Sequence, residues 1–460
     1  MISKSFRFCL AALVGGAFAT GAISPPAMSA ELPKSTQEML KNLKVDASIL
    51  IDLDKALAVP KSLLDAANKE GVVRIGATHD PKQFRDFTRP FRERYPGVKV
   101  KYARSNRYGR VIKPLIAMKS GKVIVDLIMG FGGNTFQFEK LNALVNLTAL
   151  PVYKLVPDFM KSPSGNFIGQ RLLTRCFSYN TKKVKKADLP KTWEDIITSK
   201  RWGGRNLALL NRPDYWALHL WVTKGEAWTK NYLTKLFLET KPQLRKEGAS
   251  AAVQLLGAGE FDGLIAGTMH RTSVLRKRGS PVGIHCPLPV TPTTVSPVGI
   301  LKGGNENAAK LFVNWFLSRE GQLAQFHSAD YTPLYPDLVK VGLESDPGFK
   351  IDDTKRVYYR EDRFRVEKAL LAKHWDDLWF KRKGLKMRTV KVMIIAAKRG
   401  GRRYTFKVDG KDQKVRVSGS RTIVTVNGER TSRKAVKKGM TCTITYAGND
   451  QTARSVACAK

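Results

Sequence analysis

The chain is predicted to fold as α/β, in two successive sheet-and-helix halves, followed by a small all-β, partly open barrel-like C-terminal domain. Two observations carry this. From Val72 to about residue 300, short β-branched runs alternate with segments of helical period. From Val390 onward the helical period disappears, and short alternating runs are separated by the turn pairs Asp409-Gly410, Asn427-Gly428 and Gly448-Asn449. The 460-residue length agrees, because one hydrophobic core seldom serves a chain of this size.

Residues 1–30 read as an export signal. Lys4 and Arg7 precede an apolar run from Phe8 to Ile23, and small residues close it at Ala27-Met28-Ser29-Ala30. Cys9 lies inside the apolar run, so a lipid anchor is not expected. No later apolar run reaches the roughly 20 residues needed to cross a bilayer. The mature chain, from about Glu31, is expected in the periplasm.

The first half then unfolds in order. "VVRIGA" (72–77) is a strand, and "PKQFRDFTRPFRERYPG" (81–97) sets Phe84, Phe87, Phe91 and Tyr95 at helical spacing. "VKVKYA" (98–103) is a second strand, 108–122 a helix with a glycine stop, and "VDLIMG" (125–130) a third strand. The middle repeats the scheme. "QRLLTRCFSYNT" (170–181) is a long strand, "KTWEDIITSKRWGGRN" a helix, and "LALLNRPDYWALHLWVTKG" a strand, a loop and an aromatic-bearing helix. "SAAVQLLGAGEFDGLIAG" (250–267) is a helix and a strand. The helix "NENAAKLFVNWFLSREGQLAQF" places Leu311, Phe312, Trp315 and Phe316 on a buried face. A two-lobed domain over 31–345 is expected, one lobe about 70–168 plus returning segments and the other about 175–290. Residues 346–385 form a connector and a last helix, and 386–460 the β domain.

Composition adds a charge signature. The formal charge is +41, with 80 Lys plus Arg against 39 Asp plus Glu. Residues 381–460 alone hold 22 basic and 4 acidic residues. Such a balance attracts polyanions, and acidic envelope polymers are the expected partner of the tail. Its aromatics are only Tyr404, Phe406 and Tyr446, too few for the stacking surface of a nucleic-acid-binding barrel, so no specific nucleic acid is expected. Four cysteines remain after the signal, an even count that suits disulfides in an oxidising compartment. Cys442 and Cys458 flank the last turn and are the simplest pair; Cys176 with Cys286 is a second candidate.

Catalytic motifs are missing. No H-E-x-x-H, G-x-S-x-G or paired-cysteine metal spacing occurs, and the glycines of "GAGEFDG" precede a strand instead of joining strand to helix. Asp262 reads as structural. Neither an enzyme nor a bound cofactor is expected.

The strings "AAKLFVNWFLSREGQ" followed by "YTPLYPDL", "YNTKKVKKADLPKTWEDIITSKRWGGR" and "AAVQLLGAGEFDGLIAG" resemble the solute-binding proteins of ABC importers. They look like extracellular solute-binding family 1, in the branch that includes the periplasmic ferric-iron binders. The resemblance covers roughly residues 70–380 and leaves 390–460 unrelated. It implies a type II clamshell with the solute between the lobes, hinge closure and delivery to an inner-membrane permease by a monomer. In the iron-binding relatives adjacent tyrosines follow the strand matching "FDGLIAG"; here those positions are Met269 and His270. His79 resembles the relatives' histidine after the first strand, and Phe131 stands where they have a carboxylate. Ferric ion wants anionic oxygen, so that site is absent as written.

Two readings of the site remain open. His79, His270 and Met269, with Tyr331 adding an oxygen, suit a softer divalent metal. An anionic organic or phosphorylated solute suits the polar residues that trail the strands: Thr78 and His79; Asn106 and Arg107; Gly132, Gly133 and Asn134; Asn211, Arg212 and Tyr215; Thr268, His270 and Arg271; and Tyr331. Against both stands a different class of function, a secreted polyanion- or envelope-binding protein working through its basic β domain.

Overall fold

The computed structural model describes residues 32–106, 108–343, the backbone of 356–359, and 364–459. The export signal, Arg107 and most of the connector lie outside the described residues. No described helix is long and apolar enough to cross a membrane.

Ten strands form one sheet: β1 (Val72–Ala77), β2 (Lys99–Arg104), β3 (Leu127–Met129), β4 (Ile168–Asn180), β5 (Leu207–Leu210), β6 (Gln243–Arg245), β7 (Gly263–Thr268), β8 (Val282–His285), β9 (Thr291–Ile300) and β10 (Arg356–Tyr359). Their order is β2-β1-β3-β9-β4-β7-β5-β6, with β10 beside β9 and β8 beside β4. β1 runs parallel to β2 and β3, and β5 parallel to β6 and β7, as alternation of strand and helix requires. The long strand β4 joins the halves. Its residues from Ile168 to Thr174 pair with β9, while Arg175 to Asn180 pair with β7 and β8. Cys176 and Cys286 are bridged across this second half, with Cα atoms 4.6 Å apart.

Several helices are shorter than the apolar period suggests. The 81–97 run breaks at Thr88 into Pro81–Phe87 and Arg89–Arg94, because Pro90 has no N–H to continue the ladder. The 305–326 run breaks at Ser318, whose hydroxyl donates to Trp315 O at 2.6 Å and also accepts from the Gly321 N–H. It therefore ends one helix and caps the next. "KTWEDIITSKRWGGRN" is helical only at Asp195–Thr198, since Trp193 and Trp202 are both drawn into the core and Gly203 and Gly204 hold positive φ. Leu311, Phe312, Trp315 and Phe316 are fully buried as the spacing requires.

The helix Arg365–Trp379 spans both halves. Arg365 pairs with Glu139 at 3.2 Å and Lys368 Nζ donates to Gly133 O at 2.8 Å on the first. On the second, Trp375 is buried against Phe237 and Trp216, and its Nε1–H donates to Asn211 Oδ1 at 2.7 Å. Trp375→Ala opens a cavity and orphans that amide, and is expected to cost about 3–5 kcal/mol in chemical denaturation. A loss below about 1 kcal/mol would show that this helix is not part of the core.

The tail contributes two sheets. One has order β11-β17-β19-β15-β16 (Arg388–Met393, Thr441–Tyr446, Ser455–Ala459, Ile423–Val426 and Glu429–Arg430). The other has order β12-β13-β14-β18 (Ala396–Lys398, Arg403–Val408, Lys411–Arg416 and Gln451–Thr452). Tyr404, Phe406, Val415, Val424, Ile444, Tyr446 and Val456 form one core between them. Cys442 faces Cys458 across β17 and β19 and is bridged to it, with Cα atoms 4.0 Å apart.

Candidate functional site

A cleft of about 530 Å³ opens where the two halves of the sheet meet. Thr78, His79, Asn106, Arg212, Tyr215, Thr268, His270, Arg271 and Tyr331 all line it, brought together from strand ends far apart in the chain. Arg171 and Arg175 enter from β4. Four positions apart on a strand, they project to the same face. Both are almost fully buried.

Tyr331 is the centre of contact. The Arg171 guanidinium lies 4.0 Å over its ring, His270 stacks obliquely at 4.4 Å, and His79 meets it edge-on at 5.4 Å. Arg175 lies 4.8 Å over the Tyr215 ring and donates to Thr268 Oγ1, while Arg171 Nη2 donates to Thr78 Oγ1 at 3.3 Å. Arg104 and Arg110 add two more cations at the wall. Among the described residues lining the cleft the one carboxylate is Asp80, and Arg104 holds it at 2.7 Å.

The remaining donors stay open. Among the described residues no hydrogen-bond partner is found for Arg171 Nε and Nη1, Arg175 Nε, Arg271 Nε, either nitrogen of the His79 ring or Nδ1 of His270. Burial, then Arg171, pushes His79 well below its ordinary value, and burial, then the surrounding arginines, does the same to His270. Both rings are neutral at pH 7. Burial pushes even Arg175 down to about 10. Six guanidinium groups against one paired carboxylate leave the cleft strongly positive.

Not every expected residue is there. Gly132, Gly133, Asn134 and Asn211 do not line the cleft. The glycine loop is covered by the helix Arg365–Trp379, with Lys368 on Gly133 O, and Asn134 turns back onto Phe131 O. Asn211 is taken by Trp375. Met269 packs with Cys176 and Ile284 instead of facing His79 and His270, so that metal set does not assemble. Among the described residues no cluster of three or more His, Cys, Asp or Glu side chains suits a metal ion. Phe131 is a core residue against Phe138, and Asp262 is held by Arg201 at 2.7 Å, as its structural reading expects. Arg107 lies outside the described residues.

A family model described as "Bacterial extracellular solute-binding protein" matches residues 77–323. The chain belongs to this family. Iron uptake protein A1 of Synechocystis sp. is 28% identical over 219 residues, 43% of this chain and 59% of that protein. The chain thus spans about three fifths of the length of the relatives it matches. Iron-bound HitA from Pseudomonas aeruginosa superposes with a TM-score of 0.56 at 18% identity, covering 67% of this chain and 99% of that one. AfuA from Actinobacillus pleuropneumoniae with exogenous fructose-6-phosphate bound gives 0.54 at 20% identity, covering 66% and 98%. These superpositions show the two-lobed solute-binding fold; the β-rich tail lies beyond the family match.

Strand-end reasoning missed Arg171 and Arg175. The signal was present in "GQRLLTRC": charged residues four apart in a strand otherwise buried on both faces demand a polar cavity beside them.

Proposed function

We propose that this protein captures a small anionic organic or phosphorylated solute in the inter-lobe cleft and delivers it to an inner-membrane ABC permease. Its mature form works in the periplasm as a monomer, after removal of residues 1–30. One observation carries the choice of solute: among the described residues, six arginines line the cleft around a single, already paired carboxylate. Buried guanidinium N–H groups without protein partners are costly, and an oxyanion offsets that cost with charge-assisted hydrogen bonds. The same cations repel a bare metal ion. AfuA, seen with a phosphorylated sugar, is thus a better chemical analogue than iron-bound HitA.

The reading needs no bond to be broken. β4 and β9 are the strands shared by both halves, so bending them moves His79 and Asn106 relative to Arg212 and Arg271. Solute-binding residues occupy 31–345 in this reading, the helix Arg365–Trp379 straps the lobes, and 386–460 adds a basic module that draws the protein toward acidic envelope polymers.

Thermal-shift screening of the mature chain tests it. Sugar phosphates, phosphonates, carboxylates, polyamines and ferric salts are compared in the wild type and in Arg175→Ala. One class of anion is expected to raise the melting temperature progressively with concentration, and to do so less in the variant. A flat screen, or stabilisation by cations alone, would sink the proposal.

A further inference from the structure

A second cavity, about 620 Å³, lies where the C-terminal sheets meet the second half of the main sheet. Segment 241–247 and Arg205 form one wall; β13, β14 and the loop before β15 form the other. Among the described residues, eleven Lys and Arg side chains line it against three carboxylates, Glu247, Glu260 and Asp450. The charges do not balance. Arg245 engages Glu247 at 2.9 Å and Glu260 at 3.6 Å. Arg205, Arg403 and Arg416 converge on Asp450 alone, at 3.2, 3.6 and 3.5 Å.

Two of these arginines are held in place with donors to spare. Arg416 Nη1 donates to Gln243 Oε1 at 3.1 Å and Arg421 Nη2 to Leu244 O at 3.2 Å, so both reach across the inter-domain contact. Among the described residues, Arg416 Nε and Arg421 Nε and Nη1 are buried without a hydrogen-bond partner. Burial, then the nearby Arg382, pushes Arg421 down to about 10. Free to choose, long cationic side chains extend their heads into water. Here they are packed together, where each raises the cost of its neighbours.

We propose that this cavity binds a compact anion carrying two or more phosphoryl groups, seated on Arg416 and Arg421 and clamped between the two domains. A planar guanidinium matches two phosphoryl oxygens at once, and each terminal phosphoryl group brings close to two charges. A single orthophosphate neither fills the space nor meets a surplus of eight cations over anions. The site is separate from the inter-lobe cleft, and its occupant joins the basic module to the solute-binding lobes.

Inorganic tripolyphosphate is the probe, titrated calorimetrically into the mature chain at physiological salt. Saturable binding of one equivalent is expected, with orthophosphate far weaker. R416Q and R421Q keep side-chain bulk and each weaken binding about tenfold or more. Arg175→Ala in the inter-lobe cleft, and Lys391→Ala on an exposed face of β11, leave it unchanged. Melting of each variant without ligand checks that it folds; if R421Q does not, R382Q gives the same comparison. The proposal is overturned by absence of saturable binding, by Lys391→Ala weakening it as much as R421Q, or by its loss in Arg175→Ala. Capture of long-chain polyphosphate without tripolyphosphate overturns it too, in favour of a diffuse polymer-binding face.

Discussion

Arg175→Ala is expected to weaken the solute selected by the thermal-shift screen by about a hundredfold or more, while leaving the solute-free protein as stable as the wild type or more so. Truncating one member of a buried, hydrogen-bonded charge pair commonly costs 2–5 kcal/mol, and in the liganded cleft the solute is the other member. Without solute, Arg175 is a buried cation against the Tyr215 ring and Thr268, with Arg212 and Asp214 both acting on it and, among the described residues, no carboxylate at ion-pairing distance. Removing it relieves that burial. Arg175→Lys restores charge but lacks the fork, and recovers only part of the affinity. Isothermal titration and a melting curve measure the two quantities. Unchanged affinity together with a lower melting temperature would mean that Arg175 is there for packing, and the anionic reading would fall.

Acidification should destabilise the solute-free protein steeply. All six histidines are held below their ordinary value of about 6.5, chiefly by burial. His219, at about 4, and His79 are almost fully enclosed, and His270 is partly so. Above pH 6.5 these rings are neutral in folded and unfolded chains alike, so they add no pH dependence. As pH falls below 6.5 the unfolded chain takes up protons that the folded chain refuses, and stability drops by up to about 1.4 kcal/mol per pH unit for each ring. For His219, held at about 4, that amounts to about 2 kcal/mol by pH 5, and the two cleft histidines act in the same direction. An anion bound beside His79 and His270 favours their charged forms, so saturating solute should make the slope shallower. A melting temperature that is the same at pH 7 and pH 5 would contradict the buried, neutral state of these rings.

Much of this site was legible because of one rule, that ligands gather at strand ends in α/β sheets. Thr78 and His79 follow β1, Asn106 follows β2, Arg212 follows β5, and Thr268, His270 and Arg271 lie at the end of β7 and just beyond it; all line the same cleft. The rule failed in both directions. It cannot register Arg171 and Arg175, which face the cleft from the middle of a strand as it passes between the lobes. It also admitted the Gly132–Asn134 loop and Asn211, whose positions are right but whose faces are covered by Lys368 and Trp375. Those covering residues lie more than 150 positions away, and nothing near either loop announces them. Met269 failed similarly: the first residue of a helix after β7 turns toward Cys176 and not toward its neighbour's cleft.

The alternation of strands and helices, the change to all-β character near Val390, the excess of positive charge and the Cys442–Cys458 pair were already legible in the order of residues, whereas the Cys176–Cys286 bridge needed the two strands to be brought side by side. Each of the former depends on local period, on turn chemistry or on simple counting. Which polar residues face the solute, and which merely brace the core, was decided only when the chain closed on itself. Exposure of a loop depends on what packs over it, and in this protein the element that packs over it comes from the far end of the chain.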